Sequence, residues 1–219
     1  MVGTGAKIPS EASLLPGQTD LKGIVRSDEF RAKKLGLEWQ WNHNPDPALW
    51  SLTARPGWVR LATGRVDDVV TQARNTLTQR TFGPTCTGTV RLDFSGLKDG
   101  DTAGLLALMG KYGYIGVRRT GDMRELVMVS ATSGKPEVLA AVPVKGSVVQ
   151  LRMSCDFAKQ ADLCSFSYSV DGKSWTPIGA PIHLRYELSH FMGCRFGLFN
   201  FATKQVGGHA DFDFFRIGS

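Results

Sequence analysis

The chain has 219 residues, 42% hydrophobic and 21% charged, which are the proportions of a globular domain with a sizeable core and exclude wholesale disorder. Its 26 Lys and Arg exceed its 20 Asp and Glu by six, but the basic residues are scattered in groups as short as Arg118-Arg119, whereas a nucleic-acid binder gathers them on one element. No apolar run reaches the roughly 18 residues of a membrane span, and the opening MVGTGAKIPS lacks the apolar stretch of a secretion signal, so we expect a cytoplasmic chain or one whose natural N-terminus lies elsewhere.

Residues 1–23 mix Gly, Pro, Ser and Thr without periodicity and read as a linker or a peptide lying over a surface. From residue 24 to 219 the texture is that of one domain built from short alternating segments. Leu37, Trp39 and Trp41 alternate with Glu38, Gln40 and Asn42. The same period of two recurs in Val90-Leu92-Phe94, in Val149-Leu151-Met153 and in Phe166-Tyr168-Val170. Such alternation sends one face to a core and the other to solvent. Turn signals separate the segments: Pro56-Gly57, Lys98-Asp99-Gly100-Asp101, Asp171-Gly172 and Gly207-Gly208. No helical period lasts beyond about three turns. The expectation is an all-β fold, a two-sheet antiparallel sandwich of the jelly-roll or lectin type. On that fold Trp39 and Trp41 share a face with Leu37, as core aromatics or, in the alternative, as a pair of sugar-stacking platforms. Glu38, Gln40 and Asn42 face outward, either to hold sugar hydroxyls, which amides and carboxylates match well, or simply to be solvated.

The four cysteines, Cys86, Cys155, Cys164 and Cys194, form no C-x-x-C pair, which argues against structural zinc. Cys155 and Cys164 flank a hairpin turn and are expected as buried thiols, with a cross-strand disulfide as the alternative. Serine-hydrolase, P-loop and dinucleotide signatures are absent, the four histidines have no ligand spacing, and no carboxylate pair presents itself for glycoside cleavage. One acidic pattern suggests a structural role. Asp28 opens the chain's first expected strand and Asp211 and Asp213 lie in its last, so Asp28 and Asp213 are candidates for a structural calcium site that ties the termini. Pairing of these carboxylates with Arg26 or Arg216 is the alternative.

Four segments in order, LGLEWQWNHNPDPALWSLTARPGWVRLAT, QARNTLTQRTFGP, SYSVDGKSWTPIG and HFMGCRFGLFNFATKQVGGHADFDFFRI, resemble the C-terminal domain of glycoside hydrolase family 43 β-xylosidases and α-L-arabinofuranosidases. The resemblance spans about residues 25–217. It implies a concanavalin A-like β-sandwich and no catalytic acids of its own, since those belong to a five-bladed propeller. Two roles follow from it. As a xylan-associated carbohydrate-binding module, the sandwich would hold xylan or xylo-oligosaccharides through Glu38, Gln40, Asn42, Asn75, Gln79 and Arg80, with Tyr112 and Tyr114 as stacking platforms. As a docking domain, it would pack on a catalytic propeller, in cis or from a separate chain. There Phe191, flanked by His190 and Met192, would complete the active-site mouth.

Overall fold

The alternating segments become strands, and the computed structural model describes them over residues 25–184 and 192–218. In chain order these are β1 (Gln40–Trp41), β2 (Trp50–Ser51), β3 (Val59–Ala62), β4 (Leu77–Arg80), β5 (Thr85–Asp93), β6 (Asp101–Leu108), β7 (Gly113–Thr120) and β8 (Met123–Ser130). They continue as β9 (Glu137–Pro143), β10 (Val148–Asp156), β11 (Leu163–Ser169), β12 (Thr176–Pro177), β13 (Ile182–His183), β14 (Arg195–Ala202) and β15 (His209–Gly218). The described helical pieces are single 3-10 turns at Pro47–Leu49, Val70–Gln72 and Ala158–Gln160. One sheet runs β1-β4-β14-β6-β7-β8-β9; the other runs β12-β11-β10-β5-β15-β3-β2, with β13 alongside β11. The strand pairs are antiparallel, and the two sheets form the sandwich that the alternation predicts.

The core lies between the sheets. In β10, Val149, Leu151, Met153 and Cys155 are buried while the residues between them are half-exposed; β5 contributes Val90 and Leu92 to the same core, with Phe94 just beyond its end. Phe196, Phe212 and Phe215 fill the space from β14 and β15, each withdrawn Phe or Leu contributing about 1.5–3 kcal/mol. Gly88 in β5 makes this packing fit, because a Cβ there would lie 2.6 Å from the Phe196 ring. The hairpin expected at Cys155 and Cys164 forms, with those two residues directly opposed across β10 and β11. Cys86 opposes Cys155 from the other side, and all four cysteines are free and buried.

The structure corrects two expectations. Leu37 does not share the buried face of Trp39, because β1 begins only at Gln40 and Leu37 stands fully exposed ahead of it. The outer side of the seven-stranded sheet is apolar over its central strands rather than polar throughout. Adjacent residues of β6, Leu105 and Leu106, fall into separate apolar clusters on opposite faces, and the outer cluster gathers Leu108, Tyr114, Val127, Val129, Phe199 and Phe201. Val70 and Ala73, from the segment before β4, join that outer cluster.

Candidate functional site

The β1–β4 margin of the seven-stranded sheet gathers the sequence-nominated groups that remain accessible. Gln40 lies opposite Thr78, whose hydroxyl donates to the Gln40 carbonyl at 2.9 Å. Asn42 continues the pairing through its N–H to the Thr76 carbonyl at 2.9 Å. The period of two therefore sets Gln40, Thr78 and Arg80 on one face. Gln40 and Arg80 are exposed there, and Glu38 and Asn42 are half-exposed at the same margin. Arg195 of β14 sits opposite Arg80. Its Nε donates to Thr78 Oγ1 at 2.9 Å, but both Nη atoms are buried without a hydrogen-bond partner. Burial, then the neighbouring Arg80 charge, lowers the pKa of this guanidinium.

The other four sugar candidates are structural. Gln79 is fully buried; its Oε1 accepts from the Arg26 N–H at 3.0 Å and its Nε2 donates to the Arg26 carbonyl at 2.8 Å. That pair fastens the start of the domain to β4. Asn75 makes the same two-way clasp on Asp46, accepting from its N–H at 2.9 Å and donating to its carbonyl at 3.0 Å. Tyr112 and Tyr114 both belong to the buried outer cluster, where Tyr114 meets Phe199 edge-on at 5.0 Å, and burial raises both phenol pKa values. Neither ring face is open for stacking on a sugar. Of the nominated loop, Met192 is exposed, while His190 and Phe191 lie outside the described residues.

The carboxylates nominated for calcium, Asp28 and Asp213, have protein partners. Asp28 does join the last strand, by a bridge to Phe215, but its carboxylate accepts from Trp39 Nε1 at 2.8 Å and from the Phe30 N–H at 2.7 Å. Asp213 pairs with Arg91 at 3.0 Å, and Arg216 pairs instead with Glu29 at 2.9 Å. Among the described residues no group of three or more His, Cys, Asp or Glu is placed to hold a metal ion.

The outer face of the eight-stranded sheet was not anticipated. Asp211 accepts two bonds from Arg60 at 2.7 and 2.8 Å, and Arg55 reaches Asp93 at 2.7 Å and Asp211 at 3.4 Å. Arg55 also covers Trp58 at 3.7 Å, as Arg152 covers Trp175 at 3.7 Å. On that face the carboxylates pair with guanidiniums and the two rings lie under guanidiniums.

The chain matches a family model described as the β-xylosidase C-terminal concanavalin A-like domain over residues 27–218. A β-xylosidase of Formosa agariphila is 29% identical over 209 residues, covering 86% of this chain and 34% of that protein. Among solved structures, a bifunctional GH43-CE protein of Bacteroides eggerthii superposes with a TM-score of 0.88 at 51% identity, over 90% of this chain and 26% of that one. A GH43 glycoside hydrolase engineered for both endo-xylanase and exo-arabinofuranosidase activity gives 0.84 at 32% identity, over 93% and 43% of the two chains. The chain thus spans about a third of the curated relative and less than half of each of these solved chains.

Proposed function

Because the chain belongs to the family of β-xylosidase C-terminal concanavalin A-like domains, we propose that it is a non-catalytic accessory domain that holds xylan or xylo-oligosaccharides for a family 43 glycoside hydrolase. The observation that carries this reading is the β1–β4 margin, where Gln40 and Arg80 are exposed on one face beside half-exposed Glu38 and Asn42. An amide, a carboxylate and a planar guanidinium together match the donors and acceptors of vicinal hydroxyls. Each sugar hydroxyl gives up water to bind, so the net gain per contact is small. The affinity is micromolar to millimolar, about −8 to −4 kcal/mol. Affinity gel electrophoresis against xylan, arabinoxylan, cellulose and mannan tests it: retardation on the xylans is expected, and free migration of folded protein on all four would overturn it.

A docking role is the second reading, favoured by the exposed Met192 next to β14 and by the length of the relatives beyond the match. Here the partner is a catalytic propeller, in cis or in trans, and the His190–Met192 loop completes its active site. Restoration of xylosidase activity on mixing the chain with an isolated propeller, without any xylan retention, would select this reading over the first.

A further inference from the structure

We propose that a cleft at the open edge between the two sheets is a binding site for a single neutral sugar ring, distinct from the β1–β4 margin. The cleft has a volume of about 150 Å³, the size of an apolar cavity known elsewhere to admit one six-membered ring. Its floor is Asn200 of β14. The Asn200 Nδ2 reaches across the sandwich and donates to the Leu61 carbonyl of β3 at 2.9 Å. That bond fixes the amide, and the Oδ1 at its other end is buried with no hydrogen-bond partner. The residue is only 5% exposed and lines the cleft. A buried carbonyl without a donor is rare in native proteins, and a hydroxyl entering the cleft would supply one.

The charges in the cleft select the ligand. Two arginines and two aspartates line it, so the lining carries no formal net charge. Arg65 Nε pairs with Asp67 at 2.6 Å, Asp46 accepts from the Ala48 N–H at 3.0 Å, and Arg74 Nε donates to the Asn44 carbonyl at 2.8 Å. A lining without net charge favours a neutral polyhydroxylated molecule over an ion, and such a molecule finds donors and acceptors on one rim. Leu49 and Phe201 add apolar wall for the C–H face of a ring. Leu49 closes in only because residue 64 is glycine: a Cβ there would lie 2.3 Å from its Cδ1. The Asn75 clasp on Asp46 holds the same loop in place, which gives that buried amide a positioning role. The site is argued from its own groups and stands whether or not the margin holds a chain.

The test is an NMR titration of the 15N-labelled chain with D-xylose and L-arabinose, with glycerol as a control. Saturable shifts are expected at the Asn200 side-chain amide and at the backbone of residues 46–49 and 62–67, with a dissociation constant of roughly millimolar size. Asn200→Leu, which keeps the volume but removes the acceptor at the cleft floor, should weaken binding at least about tenfold; Arg74→Ala, at an exposed position, should weaken it without loss of fold. Gln40→Ala should leave these shifts unchanged, which separates this site from the margin. The proposal is overturned if an intact spectrum shows no shifts at these positions, if glycerol shifts them equally, if they follow Gln40 instead, or if folded Asn200→Leu binds as the parent does.

Discussion

Replacing Asp101 with Asn should make the chain's stability less sensitive to pH. Asp101 opens β6 and is fully buried. Its Oδ2 accepts the Lys98 N–H at 2.7 Å, closing the 98–101 turn, while Oδ1 has no partner. Burial, opposed by that backbone bond, raises its pKa from 3.8 to about 6. The direction of the effect follows from proton counting. Between pH 4 and 6 the folded chain keeps a proton that the unfolded chain has released, so this residue's contribution to stability is greatest in acid and falls as pH rises through that window. Above pH 6 the loss is complete, and a shift of about two units amounts to about 3 kcal/mol. Asn keeps an acceptor for Lys98 but puts an N–H where the orphaned oxygen stood, at a constant cost of about 1–3 kcal/mol. Urea unfolding of both proteins at pH 4 and pH 7.5 checks the reasoning. The variant's stability relative to the parent should improve by about 2 kcal/mol across that range, since pH 4 already lies at the unfolded-state pKa; a difference independent of pH would refute the assignment of a raised pKa to this carboxyl.

Gln79→Leu should cost about 2 kcal/mol in urea denaturation through loss of its two bonds to the Arg26 backbone, with xylan retention unchanged. Arg195→Met should leave stability unchanged or raise it by about 1–2 kcal/mol, because a buried guanidinium with two unpaired nitrogens is replaced by apolar volume; a large loss would mean that those nitrogens have partners. The four free, buried thiols should resist a bulky water-soluble thiol reagent in the native chain and all react after denaturation. Early reaction of Cys155 would contradict its place among Cys164, Cys194 and Cys86, whose contact raises its pKa.

Much of the fold is legible in the sequence because a strand half-buried in a sandwich carries its geometry as alternation. The segments around Val90, Leu151 and Phe166 show it, and the Cys155–Cys164 hairpin follows from the turn between them. The seven-stranded sheet is less legible. Its central strands β6 and β14 are buried along their whole length, so the alternation that marks a face disappears. Alternation and turn signals imply the two-sheet sandwich, and the resemblance to family 43 domains adds its concanavalin A-like form. Site residues were legible only in part, since an amide reads the same whether it meets a sugar or a backbone. Gln40 and Gln79 sit on neighbouring strands of one sheet, yet the first is exposed and the second is locked onto Arg26. Asn200 was missed for the same reason: nothing in FGLFNFAT tells that its amide crosses to the other sheet and leaves an oxygen unpaired.

Whether the β1–β4 margin holds xylan is decided by calorimetric titration of the parent, Gln40→Ala and Arg80→Ala with xylohexaose. Measurable binding by the parent is expected, with at least about a tenfold loss in each variant and unchanged thermal unfolding in all three. Binding that survives both substitutions, or no binding by the parent at millimolar ligand, would contradict it.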